Sequence, residues 1–129
     1  MRAIYFLIFL CLSCSYGCLE DVVADADNLM ELIANDLSKI KNKEELNRNI
    51  PALSKRFLKL SELIILADRF QKIDLEFEKP GFRGKGSKLL YKEMIRLYQI
   101  HGARELIEKA QLKGLKKLEK YEETKESLR

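Results

Sequence analysis

Beyond residue 18 the sequence has no cysteine: Cys11, Cys14 and Cys18 are the only three. A disulfide framework is therefore excluded for everything that follows, and a domain built there must hold together by packing or by association. Histidine is as scarce, with His101 alone, beside a helix end and Gly102. Without a second imidazole or a cysteine pair there is no ligand set for a metal, and none is expected. The same shortage leaves no nucleophile with a supporting base, so no catalytic residue and no cofactor are assigned. Adjacent carboxylates, Glu44/Glu45 and Glu122/Glu123, point apart on a helix and read as solvated. Tryptophan is absent, and two prolines and six glycines are few for 129 residues. An Asn-x-Ser/Thr glycosylation signal is absent too. The net charge of +4 is mild and argues for no nucleic-acid partner.

What is present begins with a leader. Arg2 precedes an unbroken apolar run over 3–12, and small or turn-prone residues occupy 13–17. That is the layout of a secretory signal peptide. The run is about half the length needed to span a bilayer, roughly 20 residues. An uncleaved signal anchor stays open if 3–19 is drawn into the bilayer. Ser15 and Gly17 stand at −3 and −1 of a cut before Cys18, which suits ordinary signal peptidase. The same cut would leave Cys18 as the first mature residue. In this it resembles a bacterial lipoprotein, and the resemblance covers the leader alone and implies lipidation of Cys18. It departs from the lipoprotein pattern at Ser15 and Tyr16, where leucine and a small residue are usual. Cys14 is a second candidate.

The rest has a helix-forming composition, rich in Leu, Ile, Lys and Glu. Apolar residues at three- and four-residue steps predict helices over about 19–41, 50–73, 88–101 and 103–123. The first carries Val22, Ala26, Leu29, Ile33, Leu37 and Ile40, with acids crowded at its start. An Asp25-Ala-Asp27-Asn28 likeness to a calcium loop fails, because its required glycine is Met30. Asn42 and Glu45 have capping-box spacing, and Pro51 reads as the first position of the second helix. Apolar residues on more than one side, among them Phe57, Leu63, Ile65 and Phe70, place that helix at the centre. Ser87 reads as the N-cap of the third helix and Gly102 as a left-handed stop. In the fourth, Leu106, Ile107, Ala110, Leu115, Leu118 and Tyr121 supply the apolar side, and Gly114 weakens the helix by about 1 kcal/mol relative to alanine.

Two features suggest ligands. Between the second and third helices, the loop 74–87 first alternates apolar and acidic residues, then turns at Pro80-Gly81. Arg83, Lys85, Ser87 and Lys88, spaced by Gly84 and Gly86 before a helix N-terminus, form a candidate anion or lipid-headgroup site. It is not a phosphate-binding P-loop, because Ser87-Lys88 follows Gly86 where Lys-Ser/Thr is needed. The charge also shifts along the chain: 13 acids face 10 bases over 19–80, and 13 bases face 7 acids over 81–129. Lys109, Lys113, Lys116, Lys117 and Lys120 form a basic face on the last helix, suited to anionic lipid or an acidic partner.

These readings predict a signal peptide over 1–17 and a single all-α domain over 18–129, a small antiparallel bundle of three to four amphipathic helices. The expected role is non-enzymatic. It is that of an exported, lipid-anchored protein of a bacterial cell envelope that binds a partner protein through an exposed helix groove. Its membrane contact would run through lipidated Cys18 or anionic headgroups. The alternative is a secreted soluble carrier whose bundle encloses an apolar or lipid ligand.

Overall fold

A computed structural model describes residues 19–73 and 84–128, with side chains assigned at 19–70 and 84–128. The leader 1–17, Cys18 and Arg83 lie outside the described residues, as does the stretch of alternating pattern. Within the described residues the chain forms four helices: α1 (Leu19–Ser38), α2 (Lys43–Ile73), α3 (Lys85–Tyr98) and α4 (Ala103–Ser127), with no strand. Among the described residues the all-α expectation holds.

In α1 the apolar stripe buries Val22, Ala26, Ile33 and Leu37 completely or nearly so, and Glu20 and Asp21 sit in the first turn, where carboxylates favour the helix dipole. The helix stops at Ser38, before the expected end. There Lys39 and Ile40 turn tightly, their amides donating to the Asp36 and Leu37 carbonyls at 3.3 and 3.0 Å.

The start of α2 corrects the reading of Pro51. The helix begins at Lys43, and Pro51 lies inside it. The capping pair decides this. Asn42 Oδ1 accepts the Glu45 amide at 2.9 Å, while Glu45 Oε2 accepts the Lys41 amide at 2.8 Å. The first bond satisfies a first-turn donor and the second ties the residue before the cap to the helix, and Leu46 and Ile50 add buried apolar contacts before the proline is reached. Pro51 itself is exposed, so its missing N–H and ring fall on the solvent side.

A second correction concerns Ser87. The residue capping α3 is Gly84, in an extended conformation, and Ser87 is already inside the helix. The helix ends at Tyr98, and Gly102, at φ 79°, makes the left-handed turn into α4. Glycine is favoured there because a Cβ strains that conformation. The fourth helix continues to Ser127, past the expected end near 123.

The packing also refines the antiparallel picture. Consecutive helices α1 and α2 do run antiparallel, joined by a short turn and bridged by Arg56 and Asp36 at 2.8 Å. The other two pairings run in the same direction. In α1 and α3, Asp27 meets Ser87, and the Leu37 and Ile40 carbonyls meet Arg96. In α2 and α4, Glu62 meets Lys117, and Asp68 meets Tyr121 and Lys125. Two helical hairpins thus lie side by side, α1 against α3 and α2 against α4, while α3 and α4 touch each other little. One apolar cluster runs through the assembly, from Leu19 through Ile33 and Leu53 to Leu97 and Ile107.

Candidate functional site

Because α3 is held by α1 and α4 by α2, the two later helices leave a groove between them. Its turn end is closed by Arg104, whose guanidinium lies over the Tyr98 ring at 5.0 Å. Further along, Phe57, Leu60, Ser61 and Ile64 of α2 form the floor. Leu90 of α3 stands on one side, and Gln111, Leu115 and Leu118 of α4 on the other, around a volume of about 200 Å³. The helices flanking it expose large apolar side chains: Tyr91 at 70%, Leu115 at 54%, Leu112 at 48% and Ile95 at 44%. Single exposed apolar residues are ordinary, whereas a run of them beside an apolar groove marks an interaction surface.

One of these residues, Leu115, lies on the apolar side expected of the last helix, yet it is exposed. Periodicity alone does not say which positions of an apolar face a neighbouring helix covers.

Charge frames the groove. Along α4, Glu108, Gln111, Leu115, Glu119 and Glu122 follow three- and four-residue steps, so they share one face, and the three glutamates are exposed. On α3, Lys88 and Lys92 stand at the same steps from Tyr91 and Ile95, and both are exposed. Beyond Arg104 at the turn end, one rim is therefore acidic and the other basic.

The predicted anion site takes a different form within the described residues. The start of α3 receives a carboxylate from the chain itself: the Ser87 amide donates to Asp27 Oδ1 at 3.3 Å. Lys85 pairs with Glu31 at 3.5 Å. Gly86 is buried, and a Cβ there would run into the Asp27 carbonyl. Glycine at 86 thus serves close approach of α3 to α1. Lys88 is not part of this contact and projects to solvent.

The basic face of α4 is exposed along its length, at Lys109, Lys113, Lys116, Lys117 and Lys120. Lys117 is tied to Glu62 at 2.9 Å. Lys117 and Lys120, with Glu62, Ile65, Arg69, Tyr121 and Thr124, line a second, more polar depression of about 420 Å³ between α2 and α4. Beside it Tyr121 Oη donates to Asp68 at 2.7 Å, Lys125 Nζ lies 3.1 Å from the same carboxylate oxygen, and Arg69 sits 5.6 Å from the Tyr121 ring centroid. Burial and the hydrogen bond to Asp68 both raise the Tyr121 pKa. The hydrogen bond to Asp68 likewise raises that of Lys125. Sequence reading missed this cluster because Asp68 and Tyr121 are 53 residues apart.

His101 is exposed. Among the described residues no three His, Cys, Asp or Glu side chains converge as a metal site, and no helix is long and apolar enough to cross a membrane. Comparison of the chain with known families, characterised proteins and solved structures finds no match in any of the three.

Proposed function

We propose that this chain is a non-enzymatic docking module of a bacterial cell envelope, exported by its leader, anchored through lipidated Cys18 and engaging protein through the α3–α4 groove. The observation that carries the reading is the exposure of Tyr91, Ile95, Leu112 and Leu115 on the two helices that flank that groove, with Leu115 lining it. A surface of large apolar side chains with a charged rim is the composition expected of a protein interface, where aromatic and aliphatic anchors sit inside a polar border.

The carrier alternative gains less support. Pockets for small apolar ligands enclose about 300–1,000 Å³ and bury most of the ligand, and the apolar groove holds about 200 Å³ along an open seam.

The test is site-specific photo-crosslinking in the producing cell. A photoreactive residue at Tyr91 or Leu115 should yield a discrete protein adduct, while one at Lys109, on the far face of α4, should not. Equal labelling at all three positions, or labelling by lipid alone, would reject the docking surface. Intact mass of the exported chain tests the anchor independently: acyl groups on Cys18 support it, and an unmodified mature mass removes it.

A further inference from the structure

We infer that the occupant of the α3–α4 groove is a second copy of this chain, related to the first by a twofold axis running along the groove. This rests on the docking reading above and names its partner. The charge pattern selects the arrangement. The α3 rim carries Lys88 and Lys92 and the α4 rim carries Glu108, Glu119 and Glu122, all exposed; no ion pair within the described chain involves any of the five. A twofold along the groove sets α3 of each copy over α4 of the other. Basic rim then meets acidic rim twice, while Tyr91, Ile95 and Leu115 of the two copies close over the apolar seam. A twofold across the groove would instead set lysines on lysines and glutamates on glutamates, an arrangement disfavoured by like-charge repulsion. The favoured interface is isologous, the ordinary form of a homodimer.

The same axis has a geometric consequence. It keeps the helices of both copies pointing the same way, so both α1 helices begin at one end of the dimer. Two chains anchored just before Leu19 would then stand on one membrane surface without tilting against each other.

The experiment uses sedimentation equilibrium of the exported, processed chain, in detergent where it is acylated. The native chain should reach a dimer as concentration rises. Ile95→Glu combined with Leu115→Glu should remain monomeric and retain its helical circular dichroism. The charge test is sharper and tolerates loss of any one variant. Lys88→Glu/Lys92→Glu should self-associate at least about tenfold more weakly, as should Glu108→Lys/Glu119→Lys/Glu122→Lys. A mixture of the two should restore the dimer, because each reversed rim then faces the other's. A monomeric native chain, or a mixture that stays monomeric, overturns the proposal.

Crosslinking from Tyr91 separates this failure from failure of the docking reading. An adduct at twice the chain mass supports the dimer. An adduct to a different protein, with the purified chain monomeric, overturns the dimer and leaves the docking surface standing. Absence of any adduct removes both.

Discussion

The two parallel helix pairs are built on different principles. The α1–α3 pair is clamped at its ends. Near the start of α3, Gly86 abuts the Asp27 backbone and the Ser87 amide meets the Asp27 side chain. Near its end, Arg96 Nη2 donates to the Leu37 and Ile40 carbonyls at 2.7 and 3.0 Å, oriented by Glu93 at 2.8 Å. The α2–α4 pair is instead sewn along its length. Ala103, Ile107, Ala110 and Gly114 are buried in a row, and ion pairs continue the seam to Lys125. At 14 residues α3 is in the range where an isolated helix is marginal in water. Between those ends Leu97 is buried and Leu90 and Met94 pack against the core, so the difference lies in length: a short helix has fewer turns over which to share a lost contact. The α3 wall of the groove should therefore be the more sensitive to a single substitution.

The largest effect should come from the clamp at the start of α3. Gly86→Val sets a branched side chain against the Asp27 carbonyl and the Glu31 amide, which are backbone atoms and cannot rotate away. A destabilisation of about 3 kcal/mol or more is expected in urea unfolding, at the upper end for overpacking. Hydrogen exchange should show α3 amides losing protection while the middle of α4 keeps it. Parallel loss in both helices would contradict the division into two unlike pairs.

The seam answers a milder insult. A Cβ at Gly114 would lie 2.5 Å from Ser61 Oγ and 2.9 Å from the Phe57 carbonyl. Gly114→Ala gains about 1 kcal/mol of helix propensity and loses more to the clash, a net destabilisation of about 1 kcal/mol. Ser61→Ala removes the nearer obstacle, so the double variant should recover part of the loss. A strictly additive pair of effects would show that the hydroxyl is not what limits the approach.

At the other end of α3, Arg96→Ala deletes two charge-assisted bonds, to the Leu37 carbonyl in the last turn of α1 and the Ile40 carbonyl just past it. About 1–2 kcal/mol should be lost, since the guanidinium is partly solvated. Arg96→Lys should fall between, keeping the charge but not the fork. A silent alanine variant would show that α1 terminates on its own turn at Lys39 and Ile40.

How much of this was legible from sequence follows from what periodicity encodes. A stripe such as Val22-Ala26-Ile33-Leu37 says that a face is buried, and it is. It does not say against which helix, so the parallel pairing of α1 with α3 was out of reach. Local chemistry was readable but was outweighed. Asn42 and Glu45 announced the start of α2, while Pro51 drew attention to itself as a start signal. Gly114 was read as a weakness in one helix because its reason lies in another, at Ser61 and Phe57. At the start of α3 the carboxylates that meet the chain, Asp27 at the Ser87 amide and Glu31 at Lys85, sit more than 50 residues earlier and left no local signal in the sequence. The groove was anticipated only in kind. Its residues became visible once Tyr91, Ile95 and Leu115 were seen exposed, with no helix facing them among the described residues.

The smallest effect at neutral pH, and the one most specific to the α2–α4 seam, belongs to Tyr121. Its pKa and that of Lys125 are raised from ordinary values of 10.0 and 10.5, the first chiefly by burial and then by Asp68, the second chiefly by the hydrogen bond to Asp68. For both groups the folded state favours the protonated form. Their stabilisation is whole below the unfolded values and is lost as pH rises through the folded ones. The native chain should therefore lose urea resistance above about pH 10. Tyr121→Phe keeps the ring beneath Arg69 and deletes only the hydroxyl. It should lower stability at neutral pH by about 1 kcal/mol or less and make the alkaline decline shallower, with Lys125 left to account for the remainder. Because the seam holds α4 and the clamps hold α3, α3 exchange should respond less than exchange at the end of α4. An alkaline decline identical in the native and Tyr121→Phe chains would detach this cluster from the stability of the seam.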